Sequence, residues 1–409
     1  MSKRSLLPVF IFCGKSPIGA SGGGYSAFAY NLAKILRKIG HETFIVALGE
    51  EDKIVETEVG HLLLMKASLL NFNITALPGL PIFSFIFAKG VNKVARERGF
   101  KKYVVWGIGP WGFAGTLVKF LFNKNVIHVN NYFTTTKHEW SGALKALVIR
   151  DFGLFIRLKY WFICHTVVAY LTVLESILLR SADMVITNYK STEDIIKEQF
   201  GIHPSRFKRA AFSVEVYKRS VGDVKVKANL KLPKKYFAFI SRHDPRKGVN
   251  FLLHAMKNLQ DKRVTAPLFL GGTGDMFEAN KKLAEKLGLR NVRFLGFVND
   301  PRPLLENCSV FVFPSSEEGA GALTINEAMS LGLPIVSTAC DGIIEDIDDG
   351  VSGLLVPMED PVSLARAMEE LLNNPSRARR LGQNAKKAYK ERFSFERMYK
   401  DMEKITRAF

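Results

Sequence analysis

Two basic side chains in one loop are the first candidates for chemistry. Arg242 and Lys247 lie in the loop RHDPRKG, directly after the apolar run YFAFIS and before a predicted helix. Two cations in such a loop can bind both phosphates of a diphosphate. Without a metal, they would also neutralise a departing nucleotide. The alternative is a solvated loop, because lysine and arginine are abundant in this chain.

A second candidate is the stretch 311–340, FVFPSSEEGAGALTINEAMSLGLPIVSTAC. It predicts a buried strand, a glycine-bearing loop that includes Gly319 and Gly321, a helix, and a second strand. The start of a helix offers free backbone N–H groups and the positive end of a dipole, which suits a phosphate. The carboxylates of Glu318 and Glu327 flank this loop and can accept hydrogen bonds from sugar or ribose hydroxyls.

Three further turns could present backbone groups to a ligand. Gly22, Gly23 and Gly24 follow the first predicted strand and precede a helix, which is the usual ligand edge of a parallel sheet. The turn GGTGD, with Gly272, allows close backbone approach, and Phe297 follows the strand 292–295. Each is also compatible with an ordinary tight turn.

Composition limits the classes of function. The chain has 409 residues and a formal net charge of +19, which favours anionic membranes, nucleic acid or phosphorylated ligands as partners. Basic residues interleaved with aromatic ones, as in nucleic-acid sites, are not seen, so no nucleic-acid partner is expected. Four scattered cysteines without metal-type spacing indicate a reducing cytoplasm and no metal site. The DxD within DIDD (346–349) is interpreted as a helix end and turn, and the first apolar run as a buried strand, not a secretory signal.

The length predicts two domains. Polar, lysine-rich residues near 219–235 mark the boundary, giving domains over 1–220 and 221–392. Strands alternate with helices throughout the second half, which indicates a doubly wound parallel sheet. Tandem domains of this kind would have a cleft between them.

Two apolar segments could contact a membrane. Residues 62–88 are apolar but interrupted by Asn and Pro, and a basic run follows them: Lys89, Lys93, Arg96, Arg98, Lys101 and Lys102. Residues 152–179 are apolar with scattered charges, and their uncharged part is interpreted as too short to span a bilayer. Each segment is either a membrane-surface element or part of the core.

Taken together, the motifs resemble one family. RHDPRKG, LGGTGD, NVRFLGFV, VFVFPSSEEGAGALTINEAMSLGLPIVST and GIIEDIDDGVSGLLV occur in the order found in nucleotide-sugar-dependent glycosyltransferases of family four. The resemblance extends over essentially the full length and is strongest from 236 to 360. The segment RFSFERMYKDMEKI also resembles the family's C-terminal helix, so 393–409 are expected to pack on the N-terminal domain.

The resemblance implies a GT-B fold, with two Rossmann-like domains facing a cleft. It implies transfer of a hexose with retention, from a UDP- or GDP-linked sugar and without a metal or other cofactor. By position, Arg242 and Lys247 would bind the donor diphosphate, and Glu318 the donor sugar near the reacting carbon. Glu327 would bind the ribose, and Phe297 the base through its backbone. Backbone N–H groups would meet a phosphate at Gly321, Ala322 and Leu323.

Three departures leave alternatives open. Eight residues, instead of the family's seven, separate Glu318 from Glu327, so the loop must bulge, and Glu317 competes for the first motif position. Either Tyr132 or His138 stands for the family's histidine. The family's Asn-Gly is absent from AFSVEVY.

Charge and the apolar segments suggest a lipid-linked or membrane glycan acceptor, and a cytoplasmic enzyme peripheral to the inner face of the membrane. A sugar-nucleotide epimerase of the same fold, or an inactive basic membrane-binding relative, are the alternatives.

Overall fold

The computed structural model describes residues 6–16, 24–66, 79–140, 154–213, 232–298, 300–319 and 321–409. The chain divides into two compact units. The first comprises Met1–Thr136, Thr166–Val221 and Ser394–Phe409, and the second comprises Lys137–His165 and Gly222–Phe393. Residues 137–165, which the sequence prediction gave to the first domain, therefore cluster with the second.

The first unit is built on an eight-stranded sheet of order β3-β4-β2-β1-β5-β6-β7-β8. All neighbours are parallel except β3 and β4, which form an antiparallel pair at one edge. The strands are β1 (Val9–Gly14), β2 (Thr43–Gly49), β3 (Lys53–Thr57), β4 (Gly60–Lys66), β5 (Val104–Ile108), β6 (Ile127–Tyr132), β7 (Met184–Thr187) and β8 (Phe207–Arg209). The central strands are rich in Val, Ile and Phe and fully buried, because helices cover both faces of such a sheet.

Helices accompany this sheet in the part of the chain that the structure describes. They are α1 (Gly24–Ile39), α2 (Leu80–Glu97), α3 (Phe113–Leu117), α4 (Leu154–Ser181), α5 (Lys190–Phe200) and, at the C-terminus, α13 (Phe395–Thr406). Helix α4 clusters with the second unit up to His165 and with the first from Thr166. The C-terminal helix packs on α1, where the Lys38 ammonium lies 4.9 Å from the Tyr399 ring centroid.

The second unit has a fully parallel six-stranded sheet of order β11-β10-β9-β12-β13-β14. Its strands are β9 (Phe237–Ile240), β10 (Leu268–Gly271), β11 (Val292–Gly296), β12 (Val310–Phe313), β13 (Ile335–Thr338) and β14 (Leu354–Val356). Numbered within the unit, this is the order 3-2-1-4-5-6 of dinucleotide-binding sheets. The order reverses between β9 and β12, where ligands of such folds bind beyond the carboxyl ends of the strands.

The helices of the second unit alternate with its strands. They are α6 (Val249–Asp261), α7 (Phe277–Lys286), α8 (Arg302–Leu305), α9 (Leu323–Leu331), α10 (Ile343–Asp346), α11 (Pro361–Asn373) and α12 (Pro375–Arg392). The strand predicted at 292–295 is recovered as β11, one residue longer. The two sheets confirm the predicted α/β class with two doubly wound units.

The apolar segment 62–88 is not one membrane element. Its first residues form β4, hydrogen-bonded between β2 and β3, and its last residues lie in α2. In α2, Leu80, Phe83 and Phe87 are buried in the core, while Ile82 and Phe85 are exposed. The residues between these elements, 67–78, lie outside the described residues.

The second apolar segment forms helix α4. Among the residues that the structure describes, one helical stretch is long and apolar enough, by length and composition, to cross a membrane: Trp161–Ser181, of 21 residues. The sequence prediction took this segment as too short to span. Core helices of soluble proteins reach the same length and composition. Length and composition therefore do not distinguish a membrane-spanning helix from a core helix here.

Candidate functional site

Two loops of the second unit meet where its strand order reverses. One follows β9 and carries Arg242 to Lys247, and the other follows β12 and carries the two neighbouring glutamates. Gly248 joins them closely: its φ is +64°, and a Cβ there would lie 1.8 Å from the Pro314 carbonyl oxygen. A side chain would force the loops apart, so glycine at 248 is what permits this approach.

A buried ion pair links these loops. The Lys247 ammonium contacts Glu318 Oε1, and both side chains are less than one-tenth exposed. The Ser315 hydroxyl lies 2.6 Å from the same carboxylate oxygen and can donate to it. The structure thus joins two residues that the sequence predicted as catalytic, 71 positions apart. A buried cation paired with a carboxylate can take a phosphate as its partner when one is bound.

Arg246 is a second buried cation in this loop, and the sequence prediction missed it. It is 8% exposed and contacts Glu139 Oε1 at 2.8 Å and Asp244 Oδ2 at 3.4 Å. Burial opposes its charge, but the carboxylates of Glu139 and Asp244 outweigh burial and raise the pKa of Arg246. Arg246 is therefore permanently charged and holds the loop from inside.

Arg242, predicted as a diphosphate ligand, is exposed, unlike Arg246 and Lys247. Its side chain is 70% exposed, and its guanidinium is 3.5 Å from Asp244 Oδ2. Burial acts to raise the pKa of Asp244. The positive charges of Arg246, Lys247 and Arg242 outweigh burial and lower this pKa below its ordinary value. Asp244 also caps the short turn 245–247 by accepting from the Arg246 N–H. Arg242 is thus exposed to solvent, whereas Lys247 is buried and paired with Glu318.

Glu317, the alternative first motif glutamate, is buried beside two ionisable neighbours. Its Oε1 lies 3.7 Å from His138 Nε2. Burial raises the pKa of Glu317 to about 8, although His138 and Arg246 act in the opposite direction. Glu317 is thus largely protonated at neutral pH, in contrast to the ion-paired Glu318.

Asp341, which the sequence prediction did not single out, contacts the loop after β12 that carries Glu317 and Glu318, called the glutamate loop below. Its Oδ2 accepts from the backbone N–H of Glu318 at 2.9 Å and of Gly319 at 3.1 Å. His138 Nε2 lies 3.2 Å from the same oxygen. Burial acts to raise the pKa of Asp341, but the hydrogen bonds from His138 and the Glu318 N–H lower it below its usual range.

The glycine-bearing loop ends in helix α9. Gly319 and Gly321 have φ of +39° and +68°, so the loop makes left-handed turns where the extra residue was expected to bulge. Ala322 is the N-cap of α9 with extended backbone, and no described side chain caps it. The N–H groups of Leu323 and Thr324 are therefore positioned for an anion, whereas those of Ile325 and Asn326 donate to the Ala322 carbonyl. Glu327 lies one turn into the same helix.

The remaining predicted residues lie at neighbouring loop positions or outside the description. The Gly272 N–H donates to the Gly296 carbonyl at 2.7 Å, joining the loops after β10 and β11. Phe297 follows directly and is 69% exposed. Gly24 is the first residue of α1 in the first unit, while Gly23 lies outside the described residues. Across the part of the chain that is described, His, Cys, Asp and Glu form no group of three that could hold a metal ion.

Comparison with known proteins relates the loops of this site to one family. A sequence profile described as "Glycosyl transferases group 1" matches residues 222–388, which include every loop of the second unit described above. Residues 222–388 are thus similar to the group 1 glycosyltransferases. The capsular polysaccharide biosynthesis glycosyltransferase CapM of Staphylococcus aureus is 23% identical over 92% of both chains. An uncharacterized glycosyltransferase of Methanocaldococcus jannaschii is 30% identical over 53% of this chain and 55% of its own length. The chain thus spans about half the length of that relative.

Solved structures share the fold described above. Sucrose-phosphate synthase from Thermosynechococcus elongatus superposes with a TM-score of 0.78 at 20% identity, covering 98% of both chains. Anabaena HepE in complex with UDP and glucose superposes with a TM-score of 0.68 at 19% identity, covering 98% of this chain and 100% of HepE. These matches confirm the predicted GT-B fold.

Proposed function

We propose that this protein is a group 1 glycosyltransferase that moves a hexose, with retention, from a UDP- or GDP-linked sugar to a lipid-linked or membrane glycan acceptor. The observation that carries the proposal is the buried contact between Lys247 and Glu318 where the strand order reverses. A cation and a carboxylate at that position suit the two halves of a nucleotide sugar, its diphosphate and its sugar hydroxyls. HepE, whose structure contains UDP and glucose, supports a donor of this class.

In the proposed reaction the bond between sugar and diphosphate loosens first. Lys247, the exposed Arg242 and the N–H groups of Leu323 and Thr324 at the start of α9 would stabilise the charge that develops on the diphosphate. Fixed charges in a site of low exposure are more effective than the same charges in water. Glu318, as motif carboxylate, would contact the sugar near the reacting carbon, and Glu327 the ribose hydroxyls. The departing diphosphate oxygen would take the acceptor proton on the same face.

No step of this proposal uses a metal or another cofactor. The cations of the loop 242–247 supply the positive charge that a metal supplies in other glycosyltransferases. Adding a chelator such as EDTA should therefore leave the rate of nucleotide release unchanged. A rate abolished by EDTA and restored by Mg²⁺ or Mn²⁺ would contradict this part of the proposal.

An anionic membrane surface is the second proposed partner, with the protein at its cytoplasmic face. One exposed face of α2 supports this: Ile82 and Phe85 are followed at helical spacing by exposed Lys89, Lys93 and Arg96. Phe120 and Leu121 are also exposed, in the helical turn 118–122 that contacts α2. Apolar side chains that insert beside cations that meet lipid phosphates are typical of peripheral membrane binding.

Donor choice is tested by measuring nucleotide release from UDP- and GDP-hexoses with a membrane extract as acceptor. Release of one nucleotide, with the sugar recovered in the lipid fraction, is expected. Conversion of the nucleotide sugar to an isomer without nucleotide release would identify an epimerase instead. Absence of both reactions with every donor would contradict the proposed function.

Membrane binding is tested by flotation with vesicles of anionic and of neutral lipid. Replacing Lys89, Lys93 and Arg96 by Glu should abolish binding to the anionic vesicles. The matched control replaces three exposed lysines of α12 by Glu, with the same change in net charge: Lys386, Lys387 and Lys390. Equal loss in both variants would indicate that net charge alone, and not the face of α2, binds the membrane.

A further inference from the structure

Asp341 has an uncommon backbone conformation for a residue with a side chain. It follows β13, and its φ is +39°, in the left-handed region that favours glycine. Two other described residues that are not glycine, Arg263 and Glu359, have positive φ. Asp341 differs from both because it directly contacts the glutamate loop.

One oxygen of Asp341 receives three donors. Its Oδ2 accepts from the Glu318 N–H and the Gly319 N–H, and His138 Nε2 lies within hydrogen-bond distance of it. Hydrogen bonds to an ionised carboxylate are stronger than neutral ones. The left-handed backbone of Asp341 directs this carboxylate at the loop. The uncommon backbone conformation therefore accompanies the contact with Glu318 and Gly319.

These contacts determine where the Glu318 side chain points. The N–H held by Asp341 belongs to the residue whose carboxylate contacts Lys247 and Ser315. Gly319, the next residue, has φ of +39° and would not hold one conformation by itself. Without the Asp341 carboxylate, two N–H groups of the loop would lose their partner.

The strands around the loop are anchored independently of Asp341. Ser337 Oγ donates to the Phe313 carbonyl at 2.6 Å, and Thr338 Oγ1 contacts the Ser315 carbonyl. Strands β12 and β13 also form regular parallel pairs. Asp341 therefore adds control of residues 318–319 specifically, beyond holding the sheet together.

We propose that Asp341 is a positioning residue for sugar transfer: its carboxylate fixes the backbone of Glu318 and Gly319 and so sets the Glu318 carboxylate against the donor sugar. The inference rests on the proposed function, because it assigns Glu318 to the sugar. The diphosphate contacts at Lys247 and at the start of α9 do not pass through Asp341.

The decisive variant is Asp341→Gly, because glycine adopts the left-handed backbone without strain and removes only the carboxylate. A misplacement of about 1 Å can cost roughly 10²-fold in rate, so kcat should fall by about 10- to 100-fold. Affinity for the nucleoside diphosphate alone should stay within about twofold, since its contacts remain. Asp341→Asn keeps an acceptor oxygen, and its kcat should lie between those of wild type and Asp341→Gly.

A double-mutant cycle with Glu318→Gln separates positioning from a general structural role. If Asp341 acts through Glu318, Asp341→Gly should add little to the loss already caused by Glu318→Gln. Independent, multiplying losses would overturn the inference, and so would wild-type kcat in Asp341→Gly. If wild type transfers sugar and Glu318→Gln is impaired, the proposed function stands whichever way Asp341 behaves. If wild type transfers no sugar, the function fails and this inference with it.

Discussion

The two units share a doubly wound parallel sheet but differ in the chemistry at the carboxyl ends of their strands. In the second unit those ends carry buried charges, with Lys247, Arg246 and Glu318 all within one loop pair. In the first unit they carry neutral amides and hydroxyls, such as the buried Asn131 and Thr187. Glu175, a buried carboxylate of the first unit, lies on α4 and accepts from Tyr132 and Thr136.

This difference suggests a division of labour within one fold. A diphosphate needs opposite charge and close backbone N–H groups, and the second unit supplies both. An acceptor hydroxyl needs no compensating charge, so a neutral sheet edge is sufficient for it. The buried charges of the second unit are therefore expected to affect activity most, and Glu175 of the first unit to affect stability.

Lys247→Ala should have the largest effect on activity. Removing one positioned group that stabilises transition-state charge costs about 10²- to 10³-fold. We expect kcat/KM for nucleotide release to fall by about that factor. The matched control is Lys257→Ala, which removes a lysine of α6 paired with Asp261 and should leave the rate unchanged. A loss below tenfold in Lys247→Ala would remove the functional contrast between the two units.

Glu175→Ala should destabilise the first unit without affecting the donor site. Tyr132 and Thr136 would lose an acceptor at 2.5 Å from each hydroxyl, and buried donors without a partner are costly. We expect the free energy of unfolding to fall by about 3 kcal/mol. Urea unfolding measures it, with the exposed Glu198→Ala as control. A large loss of nucleotide affinity in Glu175→Ala, at unchanged stability, would reverse the proposed roles.

Arg242→Ala should have a smaller effect than Lys247→Ala. The Arg242 side chain is 70% exposed, and water weakens the attraction between exposed charges. We expect roughly a three- to tenfold rise in the donor KM, measured beside the exposed Arg290→Ala as control. A loss equal to that of Lys247→Ala would mean that burial does not determine which of these two cations contributes more to activity.

Glu317→Gln should change the pH dependence of stability. Burial raises the pKa of Glu317 from 4.5 to about 8, so the folded state binds its proton more tightly than the unfolded chain. This contribution to stability is complete below about pH 4.5 and is lost as the pH rises through about 8. Glutamine has no proton to lose, so the melting temperature should fall less steeply between about pH 5 and pH 8 in the variant. The exposed Glu278→Gln should keep the wild-type slope, and an unchanged slope in Glu317→Gln would refute the shift.

Sequence reasoning predicted the second unit better than the first for a physical reason. Its strands are short runs of Val, Ile and Phe bounded by glycine or polar turns, and each is followed by an amphipathic helix. The pair β3 and β4 was missed because KIVET is half polar and exposed, with little apolar alternation to detect. The segment 62–88 was read as one element because apolar content alone does not separate a strand from a helix.

The site residues were predictable only where they belong to a local sequence motif. Lys247 and Glu318 belong to recognisable loops, and the structure brings them together. Arg246 was missed because its partner Glu139 lies in a part of the chain remote in sequence, and no local pattern distinguishes a buried arginine from an exposed one. Asp341 was missed because its hydrogen bonds to Glu318 and Gly319 reach across 22 to 23 residues, from one loop to the next.

The central claim is that Lys247 holds the diphosphate of the donor, and calorimetric titration with nucleoside diphosphates tests it most directly. Wild-type protein, Lys247→Ala and Lys257→Ala are each titrated with UDP and GDP. The account predicts that wild type and Lys257→Ala bind one of the two nucleotides with equal affinity, and that Lys247→Ala loses about tenfold or more of it. Binding of the same nucleotide by folded Lys247→Ala with wild-type affinity would contradict the account.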